Sequence, residues 1–129
     1  MSQENVEIVR RIYGAIERTG EPEWSLLDES VEIYDHDVPD LGVHRGHDGW
    51  RKWWGDWASA WEQWRTQFEE IVDGGDRAAV VFRITVRGRG GLEIDRQDAM
   101  VVTVRDGRAV RVDYYNSRQR ALEAVGLSE

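Results

Sequence analysis

The spacing of apolar residues changes period once along the chain. Val9, Ile12, Tyr13 and Ile16 recur at helical intervals and predict a first helix. Ser2 is its expected N-cap, with Glu4 and Glu7 in or near the first turn, where carboxylates suit the dipole. Gly20 is the expected C′ residue, and Pro22 opens a second short helix carrying Trp24, Leu26 and Leu27. Val31 to Asp35 alternates like a strand, and residues 36–46, with Pro39, Gly42 and Gly46, read as a loop. Six of the seven tryptophans then fall at 50, 53, 54, 57, 61 and 64. At roughly 100° per residue they share one face, so a helix over about 47–65 is expected, with a buried stripe of indoles.

Beyond residue 65 the period shortens to two. Phe68–Val72, Ala78–Val86, Leu92–Val104 and Ala109–Tyr115 are expected strands. Gly74-Gly75-Asp76 and Gly88-Arg-Gly-Gly91 are turns between them, and Asp106-Gly107 is the strongest hairpin signal. Ser117 is placed to cap a last helix with Ala121, Leu122 and Val125, closed by Gly126. Helices first and an antiparallel meander afterwards give an α+β layout.

The chain of 129 residues suits one domain, residues 1–129, with a real core. A net charge of −8 argues against nucleic acid or an anionic membrane surface as partner. The absence of cysteine excludes disulfides, a thiolate nucleophile and cysteine-based metal sites. The start, MSQENVEIVR, lacks the basic-then-apolar run of a signal peptide, and no apolar stretch is long enough to span a bilayer. A cytoplasmic protein is the expectation.

Four segments carry a family resemblance: Asn5-Val-Glu-Ile-Val-Arg-Arg-Ile-Tyr13, Val43-His-Arg-Gly-His-Asp-Gly-Trp50, Val104-Arg-Asp-Gly-Arg-Ala-Val110 and Ala121-Leu-Glu-Ala-Val-Gly126. In this order they resemble the nuclear transport factor 2-like superfamily, and within it the SnoaL-like, polyketide-cyclase-like proteins. The resemblance implies a cone-shaped α+β barrel: a curved antiparallel sheet with helices packed in its concave face, an interior pocket and a homodimer. It does not fix the chemistry, because the scaffold hosts isomerases, cyclases, dehydratases, epoxide hydrolases and pure binders.

Candidate chemistry centres on the last hairpin. A two-residue Asp106-Gly107 turn sets Met100 opposite Asp113 and Asp98 opposite Tyr115. Arg96, Asp98, Met100, Asp113 and Tyr115 then share a face, with the two carboxylates roughly 5–7 Å apart. Such a pair, with an arginine, supplies an acid and a base. The same face is expected to line the pocket, while the more apolar face with Val101, Val110 and Val112 would be covered by a partner subunit; a solvated ion pair is the opposing reading. Arg96-x-Asp98 with Asp113-Tyr114-Tyr115-Asn116 also resembles the limonene-epoxide-hydrolase branch, which implies water activation by Arg96, Asp98 and Asp113. That branch positions its water with Tyr and Asn, where this chain has Asp35 and Asp37.

Asp35-His36-Asp37 forms a second cluster, either a pocket-mouth acid or base or a solvated loop. No helix-spaced or CxxC-type ligand motif is present, so no metal is expected. Tyr13 suits either an oxyanion donor, as the resemblance to steroid isomerases implies, or a core position. Trp54, Trp57 and Trp61 are the rings expected to line a cavity. Together these residues suggest cofactor-free acid–base chemistry on a small, apolar or aromatic, cyclic molecule, with epoxide hydrolysis and non-catalytic binding as alternatives.

Overall fold

A computed structural model describes residues 3–38 and 42–126. Helix α1, Gln3–Thr19, presents Val9, Ile12, Tyr13 and Ile16 as one buried stripe. The expected cap Ser2 and the loop residue Pro39 lie outside the described residues. The second short helix is only a 3-10 turn, Trp24–Leu26, and Leu27 already begins strand β1, Leu27–Asp35. Part of the expected 36–46 loop is a strand: β2, Val43–Arg45, pairs antiparallel with β1 through Ile33 and His44.

Helix α2, Gly46–Ala58, is shorter than the tryptophan spacing predicts. The chain tightens at its end, where Ala60 N–H donates to Trp57 O and Trp61 N–H to Ala58 O. Glu62 N–H then donates to Arg87 O, and β3, Gln63–Asp73, begins. Trp61 and Trp64 are therefore not helical. They still meet the helix because the chain folds back: Trp57 lies 6.4 Å from Trp61 and 5.7 Å from Trp64, ring centre to ring centre. The long arm of the sheet continues as β4, Arg77–Arg87, β5, Glu93–Arg105, and β6, Arg108–Tyr115; a last helix, α3, spans Arg118–Ala124. Ser117 caps α3, accepting from Arg120 N–H.

The six strands form one curved sheet in the order β2-β1-β6-β5-β4-β3. All neighbours are antiparallel except β1 and β6, which run parallel. Helices α1 and α2 pack on one face, against Val80, Phe82, Ile84, Met100, Val102 and Val112. Helix α3 packs on the other, burying Ala79, Val81, Ala99 and Val101. Val101 is thus covered by the chain's own last helix.

The hairpin register corrects the expected face assignment. Asp106 and Gly107 both take positive φ, 52° and 80°, so the two-residue turn forms and Arg105 faces Arg108. Val104 next faces Ala109, but Thr103 faces Arg111: Val110 is an extra residue in β6. This bulge reverses which face each later side chain occupies. Met100 now faces Tyr114, Val101 faces Asp113 and Ala99 faces Tyr115. Asp98, Met100 and Tyr114 lie inside the cone, while Asp113 and Tyr115 lie on the convex face. The physical reason is pairing chemistry. The unbulged register sets Val102 against Arg111 and Met100 against Asp113, whereas the bulged one sets Val102 against Val112.

Candidate functional site

The inward faces of β5 and β6 carry one buried charged group. Asp98 has no exposed surface. It accepts from Arg96 Nε at 2.7 Å and Nη2 at 3.0 Å in a bidentate pair, and the Tyr114 hydroxyl donates to its Oδ2. A carboxylate inside an apolar cone is tolerated only with this degree of satisfaction. The Arg96 side chain, 42% exposed, stands at the rim. Its bond to Asp98 raises its own pKa, so the positive charge is fixed. Tyr114 is a phenol where the expected set needed a second carboxylate. Burial, then the Asp98 charge, pushes its pKa well above the ordinary tyrosine value.

Asp35 ends β1 beside this group. Its Oδ2 accepts from Trp53 Nε1 at 2.9 Å and its Oδ1 from Asp37 N–H at 3.1 Å. Asp35, Trp53, Trp54, Trp57 and Tyr114 enclose a cavity of about 10 Å³, room for about one water. Trp53, Trp54 and Tyr114 are buried and Trp57 is half-exposed. The Trp54 indole N–H is buried without a hydrogen-bond partner. Two of the expected lining rings, Trp54 and Trp57, are therefore here. Trp61 packs instead toward Gly88, with its own N–H also unpartnered.

Tyr13 and Met100 border a separate cavity of about 10 Å³ beneath α1, with Trp50 on its wall. Phe82 stands between Tyr13 and Tyr114, 5.3 Å from one ring and 6.1 Å from the other. The Tyr13 hydroxyl is buried, and burial, opposed in part by the neighbouring Thr66 hydroxyl, raises its pKa. Its surroundings are those of a core tyrosine rather than of a donor at the Asp35 cavity.

The remaining expected residues form a different cluster on the convex face. Arg111 pairs bidentately with Asp113, at 2.9 Å for both bonds, and His36 Nε2 lies 2.7 Å from Asp113 Oδ1. The His36 ring stacks on Tyr115 at 4.4 Å and 2°. Asp37 does not follow Asp35 inward; it pairs with Arg120 of α3 and accepts from Asn116 N–H. Asp98 and Asp113 therefore cannot act as a dyad, and Arg96 does not bridge them. The arrangement that the epoxide-hydrolase resemblance implied is not assembled.

Sequence reasoning missed Trp53 and Tyr114. Tyr114 was legible from the apolar match of Val102 with Val112, which puts residue 114 beside 100 on the inner face. Trp53 carried no signal beyond its place in the stripe, because its Asp35 partner lies 18 residues away in another element.

The SnoaL-like domain family matches residues 9–112. The chain belongs to this family. No curated protein matches it in sequence. Among solved structures, TerC co-crystallised with polyporic acid superposes with a TM-score of 0.76 at 21% identity, covering 95% of this chain and 98% of that one. A protein of Jannaschia sp. CCS1 named as a SnoaL-like polyketide cyclase gives 0.74 at 17%, covering 98% and 94%. A protein of Catenulispora acidiphila with a ketosteroid isomerase-like fold, solved in complex with trimethylamine, gives 0.71 at 17%, covering 94% and 93%. At these identities the likeness is one of fold.

The two buried tyrosines of the SnoaL-like cone make its stability fall in alkali. Tyr13 and Tyr114 hold protons in the folded state that the unfolded chain releases near pH 10. Their contribution is complete below that pH and is lost as pH rises above it. Urea melts at pH 8 and 10.5 are expected to show a drop in stability, and Tyr114→Phe is expected to reduce the drop. An unchanged pH dependence in Tyr114→Phe contradicts the burial argument.

Proposed function

We propose that the protein is a cofactor-independent acid–base enzyme acting on a small carbonyl compound at the Asp35 end of the cone. The observation that carries this reading is the pairing of two unlike carboxylates around Tyr114. Asp98 is fully buried and accepts three bonds, two from Arg96 and one from Tyr114, and so serves as a fixed anchor. Asp35 is half-buried, and each of its oxygens accepts one bond, which leaves lone pairs for a substrate proton. Environments that differ this way assign different roles.

Asp35 is the base that removes a proton next to the carbonyl. Negative charge then grows on the substrate oxygen. Arg96, held by Asp98, keeps a fixed positive charge at the same end, and the unpartnered Trp54 N–H is a buried donor for that oxygen. The indole walls exclude water and accept an apolar body. Isomerisation, aldol-type cyclisation and dehydration all begin with this proton transfer. Relatives solved with polyporic acid and with trimethylamine support a small molecule as the ligand.

A second reading, a non-catalytic domain, draws on the small interior: the Asp35 cavity holds about one water as it stands. One assay separates the two. Deuterium incorporation from solvent into simple cyclic ketones, 2-tetralone and cyclohexanone, is followed by NMR. The protein is expected to accelerate exchange, and Asp35→Asn to lower that acceleration by about 100-fold or more. Equal exchange with and without protein overturns the enzymatic reading.

A further inference from the structure

We propose that the Asp35 cavity binds a methylated ammonium cation, a quaternary ammonium or a protonated tertiary amine, that also carries an oxygen. This rests on the preceding section only in taking this end of the cone as the ligand site; it does not need Asp35 to act as a base.

The first observation is the wall. Trp53, Trp54, Trp57 and Tyr114 meet at 5.3 to 5.6 Å with ring planes tilted by 66°, 40° and 71°. These rings touch one another edge to face or tilted, and together with Asp35 they line the small cavity. The face of each ring is electron-rich and attracts a cation, most strongly for indole. Two polar hydrogens that would oppose a cation are already spent. Trp53 N–H donates to Asp35, and the Tyr114 hydroxyl donates to Asp98.

The second observation is a missing partner. Asp98 is paired with Arg96, Asp113 with Arg111 and Asp37 with Arg120. Among the described residues, no arginine, lysine or histidine pairs with Asp35. The chain thus neutralises each neighbouring carboxylate with an arginine and leaves the one in the cavity uncompensated. A half-buried carboxylate among aromatic rings is worse solvated than one in water, and a ligand cation supplies the absent charge. An anion meets repulsion in the same place. The remaining polar group is the Trp54 N–H, buried without an acceptor, which calls for an oxygen on the same ligand.

The cavity holds about one water as it stands, so a trimethylammonium group enters only when a wall moves. Trp57 is the one ring of the four that is not buried, and it sits on the last turn of α2. Its displacement opens the cavity without breaking a hydrogen bond of Asp35.

Choline chloride and 3,3-dimethyl-1-butanol have the same shape and differ in the charge on the central atom. Each is titrated into the protein with tryptophan fluorescence as the signal, at ionic strength matched with sodium chloride. Choline is expected to saturate the signal with a Kd at least about tenfold below that of the alcohol. Trp57→Ala and Asp35→Asn are each expected to weaken choline at least about tenfold. Asp35→Asn preserves shape and keeps the test intact if Trp57→Ala does not fold. Equal affinity for the two compounds, or no saturable response to choline, overturns the proposal. Ketone exchange without choline binding removes the cation site and leaves the acid–base reading; choline binding without exchange does the reverse.

Discussion

Trp50→Ala is expected to lower stability by about 3–5 kcal/mol, the range for truncating a large buried aromatic. Trp50 lies in the first turn and a half of α2 and is 2% exposed. It packs edge-on against Trp24 at 6.4 Å and Trp53 at 5.2 Å, and near-parallel to Trp54 at 6.1 Å. It also borders the small cavity beneath α1, beside Val80 and Met100. Removal of the indole enlarges a void that already exists, and the stiff neighbouring rings cannot collapse into it. Urea melts report the loss directly, and thermal melts are expected to show a fall in Tm on the order of 10–20 °C. A cost below about 1 kcal/mol would mean that the tryptophan cluster is not the packing centre of the cone.

The second large effect belongs to Asp98→Asn. The amide keeps the shape but turns an N–H₂ toward Arg96 or Tyr114, and the charge that holds both is gone. Tyr114 is buried, so its hydroxyl exchanges an ionic acceptor for a neutral one. Arg96 is 42% exposed and recovers hydration, which limits the penalty. The net cost is about 2 kcal/mol. Function is expected to suffer more than stability. The Arg96 charge is no longer held at the site, and acceleration of ketone exchange falls by about 10- to 100-fold. Asp113→Asn disturbs Arg111 and His36 on the other side of the sheet and is expected to leave exchange within about threefold.

Most of the fold was legible because its period is strong. The α1 stripe, strands β4 to β6, the Asp106-Gly107 turn and the Ser117 cap all rest on short-range rules, and each stands in the structure. The end of α2 was not legible, because Trp61 and Trp64 keep helical spacing. What decides their conformation is the pairing of β3 with β4, beginning with Glu62 N–H to Arg87 O. The parallel pairing of β1 with β6 also lies beyond local pattern, since its partners are about 80 residues apart.

The site was legible in its residues but not in its grouping. Arg96, Asp98, Asp35, Trp54 and Trp57 were singled out and do come to one end of the cone. Asp113, His36 and Tyr115 were singled out and come together on the opposite face. A single extra residue, Val110, makes the division. Along β5 the alternation argument holds up to the hairpin, and beyond the bulge the facing of residues 111–115 inverts. The tryptophan helix, for its part, supplies three of the four rings around Asp35 and most of the packing behind them.

The central claim is that the chemistry lies on the inner face of the sheet, with Asp98 and Tyr114, and not with Asp113. The most direct measurement is the rate of solvent-deuterium exchange into 2-tetralone for Asp98→Asn and Asp113→Asn side by side. The account predicts a loss of at least about tenfold in the first and near-native exchange in the second. A near-native Asp98→Asn with an inactive Asp113→Asn would contradict it and place the site on the convex face.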